Sequence, residues 1–137
     1  MSTFEQQLAD LKTLEDAKNA DHEPQANGAH VIRIPNFQLP QGWQVPNSPD
    51  RHVTILFMAP PGYPAAQPDC FWLEPVGVRL TGGGTPQNTN DSNPIPGYNK
   101  PPPHGTWFSW HVQGWNPNQN SLVTYFKVIR NRLFPAR

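Results

Sequence analysis

A chain of 137 residues with ten basic and ten acidic side chains has room for one domain around one core, and it carries no run of like charge to meet a nucleic-acid backbone or an anionic membrane. The single cysteine, Cys70, excludes a disulfide framework and a multi-cysteine zinc site and fits a reducing, cytoplasmic setting. No segment approaches the roughly 20 apolar residues of a membrane span, and the charged N-terminal stretch lacks the pattern of a secretory signal.

The first segment predicts a helix within residues 1–20: Phe4, Leu8 and Leu11 recur at steps of four and three, and Ser2 with Glu5 has capping-box spacing. Residues 21–29 turn polar around Pro24 and Gly28 and read as a linker. "HVIRIPNF" is rich in β-branched residues and reads as a strand that Pro35 ends or confines to an edge. "RHVTILFMA" sets Val53, Ile55 and Phe57 on one face and Leu56 and Met58 on the other, a strand covered on both sides. "CFWLEPVGVRL" continues in the same manner.

Between Thr81 and Gly105 the composition collapses into Gly, Pro, Asn, Thr and Ser. Periodicity is lost, so 81–105 is expected to be a long loop of functional weight. Residues 118–134 predict a second helix with Leu122, Phe126, Ile129 and Leu133 on its apolar face and Asn118 or Asn120 as cap. Arg130 and Arg132 suit its negative end, and Pro135 stops it. The elements compose an α+β domain over 1–137: an N-terminal helix, an antiparallel four-stranded meander sheet, a long Pro/Gly-rich loop and a C-terminal helix.

"GTWFSWHVQGW", residues 105–115, concentrates the chemistry. On an extended segment Ser109 and His111 face the same side, so a hydroxyl and the base that would activate it can converge; the plainer reading is a pair of hydrogen-bonding side chains that fixes the backbone. His104, after "KPPP", stands where the loop joins this segment, either solvated or steering an incoming oxyanion. Trp115 is expected in the core, with Trp107 or Trp110 left as a partner contact. Cys70, between Asp69 and Phe71 at the start of an apolar run, reads as a small buried hydrophobe. His22, His30 and His52 lack metal-ligand spacing, so neither metal nor cofactor is expected.

"APPGYPAAQPDCFW" resembles the Tyr-Pro-x-x-x-Pro signature of the ubiquitin-conjugating (UBC) superfamily, here Tyr63, Pro64 and Pro68. "WNPNQNSLVTYFKVIRNRL" resembles the Trp-x-Pro opening of that superfamily's helix after the active segment. Together with "IPNFQLPQGW" and "GTWFSWHVQGWNPNQNSL", these pieces are similar to the prokaryotic family E of the superfamily. The resemblance implies a UBC-like fold with Tyr63, Pro64, Pro68 and Trp115 as structural residues, and an activating-enzyme-like protein and a ubiquitin-like protein as partners.

It also implies a docking face on the first helix around Phe4, Leu8 and Leu11, and operons of the kind expected in antiviral defence. Two departures stand out. The superfamily's nucleophilic cysteine lies eight residues before the tryptophan matched by Trp115, where this chain has Trp107, and the His-Pro-Asn motif is missing. Ser109, His111 and His104 are then the candidate catalytic residues of a hydroxyl (oxyester) route. The alternatives are a catalytically inactive UBC-fold scaffold that positions a ubiquitin-like protein, and a peptide-binding interaction domain.

Overall fold

The computed structural model describes residues 3–137. The chain is α+β, with helices α1 (Phe4–Lys12) and α2 (Leu122–Leu133) and eight strands: β1 (Asp21–Pro24), β2 (His30–Gln38), β3 (Trp43–Gln44), β4 (His52–Ala59), β5 (Asp69–Glu74), β6 (Arg79–Leu80), β7 (Thr89–Asn90) and β8 (Thr106–His111). Six of them form one antiparallel sheet in the order β1-β2-β4-β5-β8-β7, and β3 pairs with β6 apart from it. The sheet therefore exceeds the expected four strands. The polar stretch 21–29 supplies an edge strand through backbone pairing, which needs no apolar side chains, and the Trp-rich segment pairs on both sides, with β5 and β7.

Strand alternation sorts the sheet's two faces. Ile32, Ile34, Val53, Ile55, Phe57, Phe71, Leu73 and Phe108 point toward α2, whose Leu122, Phe126, Ile129 and Leu133 complete the core together with Leu11 from α1. Val31, Leu56 and Trp72 point the other way, where Ile95 and the half-buried Tyr98 and Trp107 cover them. The segment 81–105 is thus the lid on the outer face rather than a structureless loop. Its turns rest on positive-φ Gly82, Gly83, Asn88 and Gly97, which leave no periodic sequence pattern.

Asp91 ties the lid down, accepting hydrogen bonds from Gly77 N, Thr106 Oγ1 and Arg79. The Arg79 guanidinium beside it holds the Asp91 carboxyl below the ordinary carboxylate range.

Several boundaries differ from expectation. The first helix stops at Lys12, followed by a short 3-10 turn at Glu15–Ala17; the expected cap Ser2 lies outside the described residues, and Thr3 with Gln6 forms the capping box. The second helix begins at Leu122, because Asn116, Asn118 and Asn120 bond one another in a turn before it, and Ser121 N donates to Thr124 Oγ1. Pro35 does not end β2; it lies past Arg33, the last residue paired with β1, where the strand has an open side. On the β4 side the strand bulges between Ile34 and Phe37, with Asn36 at φ 58, so no ladder donor is missed.

Arg132 does not reach for solvent at the helix end. It is buried against the rings of Phe108, Trp110 and Trp43, with Nη2 donating to the carbonyls of Gln87 and Arg137, and burial lowers its pKa to about 10.

Candidate functional site

The Tyr63-Pro64 turn and the start of α2 meet at one corner. Trp115 Nε1 donates to Pro64 O at 2.8 Å, the Tyr63 hydroxyl donates to Gln7 Oε1 of α1, and the Tyr63 and Trp115 rings lie 6.0 Å apart. Burial pushes the Tyr63 hydroxyl well above the usual phenol range. Pro68 is buried, and Trp115, expected in the core, is half-buried and packs against the core's border at this corner. These motif residues hold the connection that leads from β4 into β5 and aim β5 at β8.

Where β5 begins, the pairing is irregular. Asp69 stands opposite His111 and Phe71 opposite Phe108, so Cys70 alone faces Ser109 and Trp110. This is a β-bulge, and Cys70 adopts φ 65 within it. Cys70 shares the outer face with Trp72 by alternation, and the bulge, whose extra residue is on β8, brings Asp69 to that face as well, opposite His111. The His111 Nδ1 is in hydrogen-bond contact with Asp69 Oδ1. Burial, and then the Asp69 carboxylate, push the Cys70 thiol up; hydrogen bonds involving Trp110, Trp107 and Ser109 oppose that shift. Cys70 is buried, in keeping with the sequence reading, but beside Asp69 it also has polar company from β8, which the sequence around it does not reveal.

Two separate depressions flank the Asp69–His111 contact. One, of about 510 Å³, is lined by Asn88, Ser109, Trp110, His111 and Gln113. The other, of about 320 Å³, has Asp69 and Cys70 at one end and Trp72, Trp107, Pro94 and Pro96 along its sides. Ser109 is half-buried, and the His111 side chain is 52% exposed. The arrangement sets a carboxylate-oriented imidazole, a hydroxyl and a thiol around one end of β8, with the Ser109 hydroxyl hydrogen-bonded to Cys70 and not to His111; these are the kinds of group that acyl transfer uses.

The other expected site residues lie elsewhere. His104 is neither solvated nor poised for an incoming group: it is buried, its Nδ1 accepts from Ile95 N at 2.8 Å, and its Nε2 donates to Lys100 O, so both nitrogens hold the lid together. Leu11 is fully buried and cannot belong to an exposed docking face. Phe4 stacks on His30 at 4.2 Å, and Leu8 is partly buried against the core, which leaves Glu5, Gln6, Ala9, Asp10 and Lys12 as the outward side of α1.

Neither Trp107 nor Trp110 stands free. Trp107 packs on the outer cluster; Trp110 packs on the core, with Arg132 and Arg137 over its ring and its carbonyl accepting from Tyr125. Asp69 escaped the sequence reading. Its only signal was its place next to Cys70, because the register that sets it opposite His111 is a property of the folded sheet.

Two helices and a mostly antiparallel sheet, with Asp69, Ser109 and His111 at the edge of its outer face, make an α+β protein compatible with an E2-like fold. The model of prokaryotic E2 family E matches residues 8–136, and the chain belongs to that family. No curated protein and no solved structure matches it significantly. Membership makes this an E2-like protein suited to a conjugation pathway with protein partners. Among the described residues, no helix is long and apolar enough to cross a membrane.

Proposed function

We propose that this protein is the conjugating component of a bacterial ubiquitin-like pathway in the reducing cytoplasm, and that it transfers the acyl group through the Ser109 hydroxyl with His111 as base. An activating-enzyme-like protein presents the C-terminal carbonyl of a ubiquitin-like protein. Ser109 Oγ attacks that carbonyl carbon, the bond to the partner's leaving group breaks as the ester forms, and the hydroxyl proton passes by way of His111 to the leaving group. An acceptor amine then displaces Ser109, which regains its proton.

The observation that carries this reading is the Asp69–His111 contact beside Ser109. With Nδ1 turned to the carboxylate, the ring is oriented and Nε2 is the nitrogen left to handle the proton, the division of labour of a nucleophile–base–orienter set.

A second reading is favoured by Trp107, which stands where the superfamily's cysteine would be and is packed on the outer cluster. In that reading the chain is a scaffold, and its partner performs the chemistry.

Reconstitution with the activating-enzyme-like and ubiquitin-like partners and ATP, followed by intact mass, separates the two. The expected adduct is alkali-labile and thiol-resistant, persists in Cys70→Ala and disappears in Ser109→Ala. Asp69→Asn is expected to form it at least about a hundredfold more slowly, the lower range of what positioned acid–base groups contribute. Conjugation that needs this chain but leaves no adduct on it would establish the scaffold.

A further inference from the structure

The bulge that opens β5 collects three different donor atoms. The Asp69 carboxylate, the Cys70 thiol and a His111 ring nitrogen all lie within 4.8 Å of one another. Two of the three side chains are more than half exposed, Asp69 at 57% and His111 at 52%, whereas Cys70 is 8% exposed and anchors the group from beneath. We propose that Asp69, Cys70 and His111 form a binding site for a divalent transition metal ion of the zinc class.

The donor set selects the ion. A thiolate and an imidazole disfavour magnesium and calcium, which take oxygen ligands, and suit zinc, whose sites combine sulfur, nitrogen and carboxylate oxygen. The thiolate and the carboxylate together carry two negative charges, which balance a divalent cation. Tetrahedral zinc with ligand bonds of about 2.0–2.3 Å requires donor separations of about 3.3–3.6 Å. The exposed Asp69 and His111 side chains can close that difference by rotation, with the buried sulfur held still. Three protein ligands and a solvent-facing fourth position form the open kind of site, with room for water or an incoming ligand.

The cysteine must lose its proton to the solvent when the ion binds. An ion held here takes His111 away from Ser109, so metal binding and the acyl transfer proposed above exclude each other. The metal site does not rest on that transfer, and it is tested with no partner protein present.

The test is titration of the purified full chain with Co²⁺, a spectroscopic stand-in for zinc. Because Cys70 is the only cysteine, any thiolate-to-cobalt charge-transfer absorption reports this site, whatever His22 and His30 bind. The expected result is a saturable one-to-one band with tetrahedral visible transitions, displaced by Zn²⁺, absent in Cys70→Ser and retained in Ser109→Ala. His111→Ala and Asp69→Asn, both exposed and so tolerable to the fold, are expected to weaken cobalt binding by more than about tenfold.

Absence of a thiolate band at large cobalt excess overturns the proposal. So does a band of undiminished affinity in both His111→Ala and Asp69→Asn, which would reduce the site to a thiol alone. Loss of the adduct in Ser109→Ala with the cobalt band intact would tell the two sites' chemistries apart.

Discussion

The two faces of β8 receive similar residues and put them to different ends. On the inner face Phe108 stacks on Phe71 at 4.6 Å, with Arg132 over its ring and Trp43 5.9 Å away. On the outer face Trp107, Ser109 and His111 pass in order from half-buried to exposed. The inner face is closed by Arg132 and Tyr125 of α2, by Trp43, and by the Thr106 bonds to Val78 and Asp91. The outer face is covered by the 81–105 segment, whose Ile95 and Tyr98 pack over the cluster that includes Trp107, and that cover thins toward His111. The candidate site lies where the lid ends, on a strand whose other side is fixed by core packing, so reactive side chains are displayed on a rigid backbone.

Truncation on the two faces is the sharpest way to break that comparison. Phe108→Ala is expected to lower stability by about 3–5 kcal/mol, the usual range for deleting a buried aromatic ring. Ser109→Ala, one residue away, is expected to cost less than about 1 kcal/mol. Urea denaturation of both variants measures the gap, and equal losses would mean that the outer face is as tightly packed as the inner.

Gly105 comes next. It enters β8 at φ 145, and a Cβ there would stand 2.6 Å from Leu73 O. Gly105→Ala therefore forces β8 away from β5, costing on the order of 1–3 kcal/mol. It also disturbs the register that sets Asp69 opposite His111, so its effect on the cobalt site should exceed what its stability loss alone would produce. Trp115→Phe removes the indole bond to Pro64 O and is expected to cost about 1 kcal/mol, with Ser109 reactivity kept. Loss of the adduct in that variant would show that the Tyr63–Trp115 corner positions the site as well as the fold.

Much of the inner face was legible in the sequence, because it is written in periodicity. Val53, Ile55 and Phe57 against Leu56 and Met58 announce a strand covered on both sides, and Leu122, Phe126, Ile129 and Leu133 announce the helix that covers it. The edge strands were not legible. β1 and β7 are built by backbone pairing and turns in polar sequence, where no apolar alternation marks them. Ser109 and His111 could be placed on one side from their spacing, but Asp69 could not be added, since a bulge at Cys70 depends on cross-strand register. His104 misled because the loop around it reads as solvent-facing, whereas the Pro/Gly turns fold back to bury it. Arg132 carries no local signal of burial; the aromatic rings that accept it come from three distant positions.

The histidines offer the mildest test of the same division. His30 lies on the inner face next to Ile32, and His22 lies beside it on β1, their Nδ1 atoms 3.1 Å apart. Phe4 of α1 stacks over His30 and meets His22 edge-on. One ring must donate and the other accept, so this contact fails once both carry a proton at Nδ1. Burial, and then the neighbouring His22, lower the His30 pKa from the ordinary 6.5; nearby Glu5 acts weakly in the other direction.

The folded state therefore favours neutral His30 more than the unfolded chain does. The resulting stabilisation is fully present above about pH 6.5 and is lost as the pH falls through the lower folded value. Asp91, held low by Arg79, also loses stabilisation on acidification, but only below the ordinary aspartate value of 3.8, so the two effects separate along the pH axis. The expected outcome is a urea midpoint that falls from neutral to mildly acidic pH in the wild type and falls less in His30→Leu. Equal falls in the two proteins would remove His30 from the account and leave α1 held by Leu11 and the Tyr63–Gln7 bond, without a titrating contact beneath it.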